Sequence, residues 1–265
     1  VTDASTAGGA LDADDHALAR RLAEGAGRLL VDLRDRLVAA GAPRWTVEDE
    51  GDRRAHRWIA DELAATRPGD GVLSEEGRDD PSRLDRARVW VVDPLDGTRE
   101  YGEFPRDDWA VHVALAIDGD PAVGAVALPA QGVVIGTRPP AAVPPADPTT
   151  PRFVVSRTRP PTVARVVADR LGGRLVPMGS AGAKAMAVVR GLADVYLHAG
   201  GQYEWDSCAP AAVAAAAGLH VSRVDGSPLR YNRPDPWLPD LLICRQELAG
   251  PVLDAVAAWG GARWS

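Results

Sequence analysis

Asp93-Pro94-Leu95-Asp96-Gly97-Thr98, set directly behind the apolar run Val89-Trp90-Val91-Val92, constrains this chain more than any other stretch. Four unbroken apolar residues of this kind fit a strand in the interior of a sheet. Val92 hands straight to Asp93, so a carboxylate leaves the end of a rigid element. Pro94 and Gly97 force a sharp turn, after which Asp93, the Leu95 carbonyl and Asp96 can converge on one point. The N–H groups of Gly97 and Thr98 then lie at the start of a helix or helical turn. Hard oxygen ligands beside backbone donors describe a site for Mg²⁺ plus a phosphate. Asp-Pro and Asp-Gly are also ordinary turn pairs that merely solvate their carboxylates. The complete hexapeptide behind an apolar strand is what separates the two readings.

Composition narrows the class. The chain has 265 residues, 46% hydrophobic and 25% charged, which suits a globular protein with one large core or two smaller ones. A formal net charge of −7 argues against a nucleic-acid binder whose affinity rests on phosphate neutralisation. It leaves room for a nucleotide substrate, because bound metal ions reverse the sign of a small site. Cys208 and Cys244 stand alone, with no C-x-x-C and no clustered histidines, so a zinc ribbon, redox dithiol or disulfide scaffold finds no support. No apolar run approaches a membrane span, and Val1 to Asp15 has neither a basic n-region nor an apolar h-region. The expected setting is cytoplasmic, without nucleic-acid or membrane partners; a homodimer is left open.

Leu18, Leu22, Leu29 and Leu33 fall on one face of a helix expected from Asp12 to about Ala40. A second helix is expected from Asp52 to Ala65, with Ala55, Ile59 and Leu63 inward and Arg67-Pro68-Gly69-Asp70 closing it. Val72-Leu73 leads into Ser74-Glu75-Glu76, and a helix-free excursion joins these to the Asp93 strand. Trp109 to Ile117, Ala122 to Leu128 and Val133-Val134-Ile135 read as a meander. Arg138 to Pro151 holds six prolines and marks the boundary between residues 10–150, carrying the metal motif, and residues 151–265, completing the site. Beyond it come a strand at Phe153-Val154-Val155 and a helix from Pro161 to about Leu171. Gly179-Ser180-Ala181-Gly182 then opens an Ala/Val-rich helix. A strand from Asp194 to His198, an alanine helix from Ala209 to Ala217, a strand at Leu241 to Cys244 and a last helix follow. The whole is an α+β protein with sheets covered by helices.

Alone, Glu75-Glu76 is an ordinary surface pair, and Asp206, behind Trp205 and ahead of a small-residue helix, is explained as an N-cap. As a set with the hexapeptide, these residues resemble the inositol monophosphatase superfamily of Mg²⁺-dependent, Li⁺-sensitive phosphatases. Asp93 to Thr98 matches its D-P-[LI]-D-G-T, and Trp205-Asp206-Ser207-Cys208-Ala209 its W-D-x-A-type motif. Glu75 matches the upstream E-E pair, and Gly179-Ser180-Ala181-Gly182 with Lys184 a G-S-x-x pattern before a helix. The continuation Thr98-Arg99-Glu100-Tyr101 is similar to the T-[KR]-E-F of CysQ-type 3′(2′),5′-bisphosphate nucleotidases. Ser74-Glu75-Glu76, Ala181 to Met186, His198 to Gln202 and Asp225 to Tyr231 look like that branch in its actinobacterial form. One departure stands out. The family's T-x-x-D ends at Asp52 here, but Asp49 occupies the Thr position.

The resemblance implies a sugar-phosphatase-like α-β-α-β-α layering with two sheets packed with helices. It implies a hydrolase that removes the 3′-phosphate of adenosine 3′,5′-bisphosphate, or of its phosphosulfate analogue, with two or three Mg²⁺. An inositol or sugar monophosphatase, a fructose-1,6-bisphosphatase and a non-catalytic nucleotide sensor remain alternatives. Glu75, Asp93 and the Leu95 carbonyl are assigned to one ion, and Asp93, Asp96 and Asp206 to a second. Thr98 with Glu75 is expected to orient and deprotonate the attacking water, helped by Asp52; a hydroxyl alone is too weak a base. Gly97 and Thr98 are expected to bind phosphate oxygens. Gly179, Ser180 and Ala181, as an exposed small-residue backbone, are expected to meet the substrate together with Asp206 and His198. Lys184 and Arg230 are candidate partners of the 5′-phosphate. His16, His56, His112 and His220 carry no functional expectation.

Overall fold

The computed structural model describes residues 11–145 and 150–260. Asp12 caps the first helix, α1 (Ala13–Ala39): its side chain accepts the Asp14 N–H at 3.1 Å, while Asp15 reaches back to the Asp12 N–H. Leu18, Leu22, Leu30 and Leu33 face the core, so Leu30 takes the inward place expected of Leu29. Helix α2 runs from Arg44 to Thr66, two turns longer than expected. Gly51 reads as a helix breaker, yet here it permits a close approach: a Cβ at this position would lie 2.6 Å from Tyr101 Cε1.

Strands β1 (Gly71–Ser74), β2 (Arg88–Asp96), β3 (Ala110–Ile117), β4 (Asp120–Leu128) and β5 (Val133–Gly136) form one sheet in that spatial order. β1 is parallel to β2, and the remainder is the expected antiparallel meander. A short helix, α3 (Thr98–Gly102), follows β2. The excursion between β1 and β2 is not helix-free: Pro81–Asp85 makes a 3₁₀ turn, with Pro81 opening it and Asp80 accepting the Ser82 N–H.

β6 (Arg152–Ser156) starts a second sheet and is followed by α4 (Thr162–Arg170), β7 (Arg174–Met178), α5 (Ala181–Val189), β8 (Val195–Tyr203) and α6 (Glu204–Ala216). β9 (His220–Ser222), β10 (Trp237–Cys244) and α7 (Gln246–Trp259) complete it. The strand order is β7-β6-β8-β10-β9, parallel at β7-β6-β8 and antiparallel at β8-β10-β9. β7 has no buried residue and its apolar stretch is interrupted by Pro177, and β9 has only three residues, so neither announces a strand clearly. β8 and α6 abut at Tyr203/Glu204, which extends both beyond their expected bounds.

Side-chain alternation shows the layering. Trp90 and Val92 join Leu22, Leu30, Ile59 and Leu63 of α1 and α2, whereas Val89 and Val91 join the α5 and α6 alanines. Val154 of the second sheet reaches those same alanines, while Phe153 and Val155 meet Val163 and Val167 of α4 and Val252 of α7. The order is therefore α1/α2, first sheet, α5/α6, second sheet, α4/α7. Gly124 on β4 lets α6 sit close: a Cβ there would lie 2.8 Å from the Ala209 carbonyl oxygen and 2.9 Å from Ala212 Cβ. Among the described residues no helix is long and apolar enough to cross a membrane.

Candidate active site

The C-terminal end of β2 is where the chemistry gathers. Pairing with β3 is regular up to Asp93 and shifts register before Asp96, so the ladder opens where the hexapeptide turns. Asp93 is 1% exposed, and its Oδ1 accepts the Leu95 N–H at 3.1 Å. Gly97 holds the left-handed φ of +86° needed to launch α3. Ligand oxygens of Asp93, Asp96 and Asp206 lie within 4.8 Å of one another. Asp206 arrives from the first turn of α6 and is not the N-cap. Tyr203 caps that helix, and the Asp206 carboxylate accepts its N–H at 2.6 Å. Glu75 follows β1, with its N–H on the Val92 carbonyl at 3.2 Å; the residue is exposed, but its carboxyl turns onto Asp93.

This crowding is unfavourable without a counterion. Burial, followed by repulsion from Glu75, Asp96 and Asp206, pushes Asp93 well above the carboxylate range. Burial, then Asp206, Asp96 and Glu76, raises Glu75 to about 7, and burial with Asp96 raises Asp206 to about 6. An all-oxygen donor set of this charge and spacing fits a hard divalent cation.

Asp96 is the exception. Burial alone raises it, but His112, Lys184 and Ser180 outweigh burial and hold it below the usual range. His112 lies opposite Asp93 on β3 and is fully buried. Its Nδ1 lies 3.0 Å from the Trp205 carbonyl, which only accepts, so Nδ1 carries a proton. Its Nε2 lies 3.2 Å from Asp96 Oδ2, off the line of a good hydrogen bond. Asp96 thereby favours the imidazolium over the opposing pull of burial. His112 thus joins Asp96 to the residue before Asp206, a role that sequence reading missed because a histidine in an apolar strand gives no signal of its partners.

The small-residue turn before α5 does something other than expected. Ser180 Oγ and the N–H groups of Ala181 and Gly182 all donate to Asp96, and the Gly179 N–H donates to Asp108 at 2.6 Å. The exposed donors foreseen at Gly179 to Ala181 are therefore committed to protein carboxylates. Ser180 takes φ +47° to do this, an unusual conformation for a residue with a Cβ.

Thr98 Oγ1 lies 3.2 Å from Asp52 Oδ1 and 3.1 Å from the Leu95 carbonyl, and its one proton serves either. Burial, then Glu76 and Glu75, raises Asp52 to about 8. Asp49 sits on α2, one turn before Asp52, and is exposed, adding to the negative potential there.

The expected substrate contacts divide. Lys184 is 6% exposed and donates to the Gly179 and Ser180 carbonyls, so it braces the turn from beneath. His198 lies within β8, and its Nε2 bonds the Gly201 carbonyl at 3.0 Å. Burial lowers its pKa, so the neutral ring has spent its one N–H and is a poor phosphate donor. Arg230 is misplaced: it pairs with Asp120 at the end of the β3–β4 hairpin, whereas Asp96 pairs with Ala110 at the opposite end of β3. Instead, a cleft of about 470 Å³ borders Ser180 and is lined by Arg99, Glu100, Ser156, Arg157, Thr158 and Arg159, among others; Arg157 pairs with Glu100 and Glu103, and Arg99 with Glu103. The run Ser156-Arg157-Thr158-Arg159 behind an apolar strand was the available signal for it.

Comparison with known proteins identifies the family. A protein of Mycobacterium bovis named 3′-phosphoadenosine 5′-phosphate phosphatase is 53% identical over 243 residues, covering 88% of this chain and 90% of its own. The 3′(2′),5′-bisphosphate nucleotidase CysQ of Escherichia coli K12 is 34% identical over 206 residues, 71% of this chain and 80% of its own. The crystal structure of inositol monophosphatase-II from Staphylococcus aureus superposes with a TM-score of 0.74 at 20% identity, covering 92% of this chain and 96% of that one, which speaks for the fold. The inositol monophosphatase family profile matches residues 21–139 and 149–254, nearly the whole length, and the chain belongs to that family.

Proposed function

We propose that this protein is a Mg²⁺-dependent bisphosphate nucleotidase that removes the 3′-phosphate of adenosine 3′,5′-bisphosphate to leave AMP. One juxtaposition carries the reading: the acidic corner and the arginine-lined cleft meet at Ser180, which bonds Asp96 and lines the cleft. A substrate with two phosphates, one at a cation cluster and one at guanidinium groups, matches that pair of environments. The names of the relatives with 53% and 34% identity point the same way.

Glu75, Asp93, the Leu95 carbonyl, Asp96 and Asp206 would hold two or three Mg²⁺. When bound, the ions lower the pKa of water and relieve charge on the phosphoryl oxygens. Asp52 anchors the Thr98 hydroxyl, which orients the attacking water. Glu75, with its carboxyl turned into the acidic corner, is the carboxylate assigned to accept its proton. The N–H groups opening α3 at Gly97 and Thr98 have no partner within that helical turn and are available to phosphate oxygens. Residues 10–150 supply the β2 corner, Glu75 and the Arg99 edge of the cleft, and residues 151–265 supply Asp206 and the rest of the cleft, so the site needs both units.

Phosphate release from adenosine 3′,5′-bisphosphate, inositol 1-phosphate and fructose 1,6-bisphosphate, with Mg²⁺ and with EDTA, tests this directly. The nucleotide should be preferred by about a hundredfold or more in kcat/KM, and EDTA should abolish release. Faster turnover of inositol phosphate, or tight binding of the nucleotide without release, would overturn the proposal.

A further inference from the structure

The loop from Glu75 to Ala87 connects edge strand β1 to β2, and its first residues are exposed. Glu75 itself is held by its N–H on the Val92 carbonyl and by its carboxyl against Asp93, but the exposed loop that follows it needs an anchor of its own. Arg83, in the 3₁₀ turn of this loop, is nevertheless 1% exposed. Its Nε and Nη2 donate to Asp79 at 2.6 and 3.1 Å, its Nη1 to Asn232 Oδ1 at 2.7 Å, and its Nη2 also to the Arg233 carbonyl at 3.0 Å. Asn232 returns a bond from Nδ2 to the Arg83 carbonyl at 3.1 Å and holds a left-handed φ of +58°. Behind it, the Asn232 and Arg233 N–H groups both donate to Glu204, at 2.6 and 2.9 Å. Glu204 is wholly buried and is the first residue of α6.

This network spans 149 residues of sequence between Arg83 and Asn232. Asp79 stands four residues after Glu75, and Glu204 two residues before Asp206. A buried ionic network adds little to stability compared with a well-packed apolar substitute. What it supplies is geometry, because each hydrogen bond fixes a distance and a direction that apolar contacts leave free. We propose that the Arg83–Asn232–Glu204 network is a positioning device that sets the spacing of Glu75 from Asp206 across the metal site. The inference rests on the proposed cation role of those two carboxylates. Arg83 and Asn232 touch neither ion nor substrate in this scheme, so they are positioning residues.

Asn232→Gly is the suitable perturbation. Glycine accepts the left-handed φ, the Glu204 bonds to backbone N–H groups and the Arg83 bond to the Arg233 carbonyl survive, and only the two bonds between the Asn232 side chain and Arg83 are lost. Val256→Ala, in the α4/α7 cluster on the far side of the second sheet, is the control for simple loss of stability. The melting temperature of each whole protein is titrated with Mg²⁺ alone, and phosphate release is measured against Mg²⁺ in parallel. Asn232→Gly should raise the Mg²⁺ concentration for half-maximal stabilisation by about tenfold, the range seen when residues that orient metal ligands are lost. Near-native turnover should return at saturating Mg²⁺, and Val256→Ala should leave the half-point unmoved. If native protein responds to Mg²⁺ and Asn232→Gly responds with the same half-point, the positioning role is wrong while the metal site stands. If native protein shows no Mg²⁺ response, the metal reading fails and the inference fails with it.

Discussion

Gly182→Ala is the sharpest test of how the acidic corner is held. A Cβ at position 182 would lie 2.0 Å from His112 Nε2, 2.9 Å from its Cδ2 and 3.0 Å from Ala110 Cβ. The imidazole cannot yield cheaply, since it is fully buried and bonded through Nδ1 to the Trp205 carbonyl. Keeping the ring in place forces α5 outward, an overpacking cost of about 1–3 kcal/mol. Swinging the ring away instead breaks the Trp205 bond and the Asp96 contact, leaving buried polar groups unpaired at about 1–3 kcal/mol each. The cheaper route sets the loss at about 1–3 kcal/mol, and at about 2–4 °C per kcal/mol for a chain of this size the melting temperature should fall by about 2–12 °C. Gly250→Ala is the matched control: it lies in α7 with nothing within 4 Å of its Cβ, and should be neutral or slightly stabilising. Urea unfolding of both variants against native protein, with phosphate release alongside, provides the readout. A Gly182→Ala protein within about 1 kcal/mol of native and fully active would refute the tight His112–Asp96–α5 junction.

Other expectations concern charge and chemistry. Asp93→Asn should lose about a thousandfold in turnover, the effect of removing several kcal/mol of charge stabilisation, yet in EDTA it should melt no lower than native because one crowded carboxylate is gone. Folded Glu75, Asp206 and Asp52 titrate at about 7, 6 and 8 respectively, so in EDTA the folded state binds more protons than the unfolded chain. Their contribution is present below the unfolded carboxylate values near pH 4 and is lost as pH rises toward 8, with Mg²⁺ restoring it. A melting curve flat or rising from pH 5 to 8 in EDTA would contradict that. Thr98→Ala should slow turnover about a hundredfold with KM little changed; an effect confined to KM would remove it from orienting the water. Arg159→Ala should raise KM for adenosine 3′,5′-bisphosphate about tenfold, as loss of a charged hydrogen bond does, and leave 3′-AMP hydrolysis unaffected. Equal effects on both substrates would place the 5′-phosphate elsewhere.

The hexapeptide was legible because all of its information is local: an apolar strand, a proline, a glycine and two carboxylates need no distant partner to be understood. The meander was legible as a sheet, but the layering came from the family resemblance: the unbroken apolar run Val89 to Val92 does not show that alternate residues face different helix layers. Element starts were harder. Gly51 hid the first turns of α2, and the direct join of β8 to α6 at Tyr203 left no loop to announce that Asp206 sits inside the helix. Partners far apart in sequence were not legible. Nothing near His112 indicates Asp96 and Trp205, and nothing near Arg230 indicates that Asp120 will claim it. The turn at Gly179 to Ala181 was read as ligand-facing because small residues expose backbone, but they serve equally well to bring N–H donors against a carboxylate of the other sheet.

The alanines of α5 and α6 have a wider meaning. Between the sheets stand Ala183, Ala185 and Ala187 on one helix and Ala209, Ala211 and Ala214 on the other, with Gly124 admitting the second helix to backbone contact. Asp96 is gripped by the first helix and Asp206 rides on the second. The gauge of the cation cluster is therefore written in methyl groups that perform no chemistry themselves. One added carbon in that seam is a spacer inserted between the carboxylates, so drift at these inert positions should erode turnover as surely as damage to the acids.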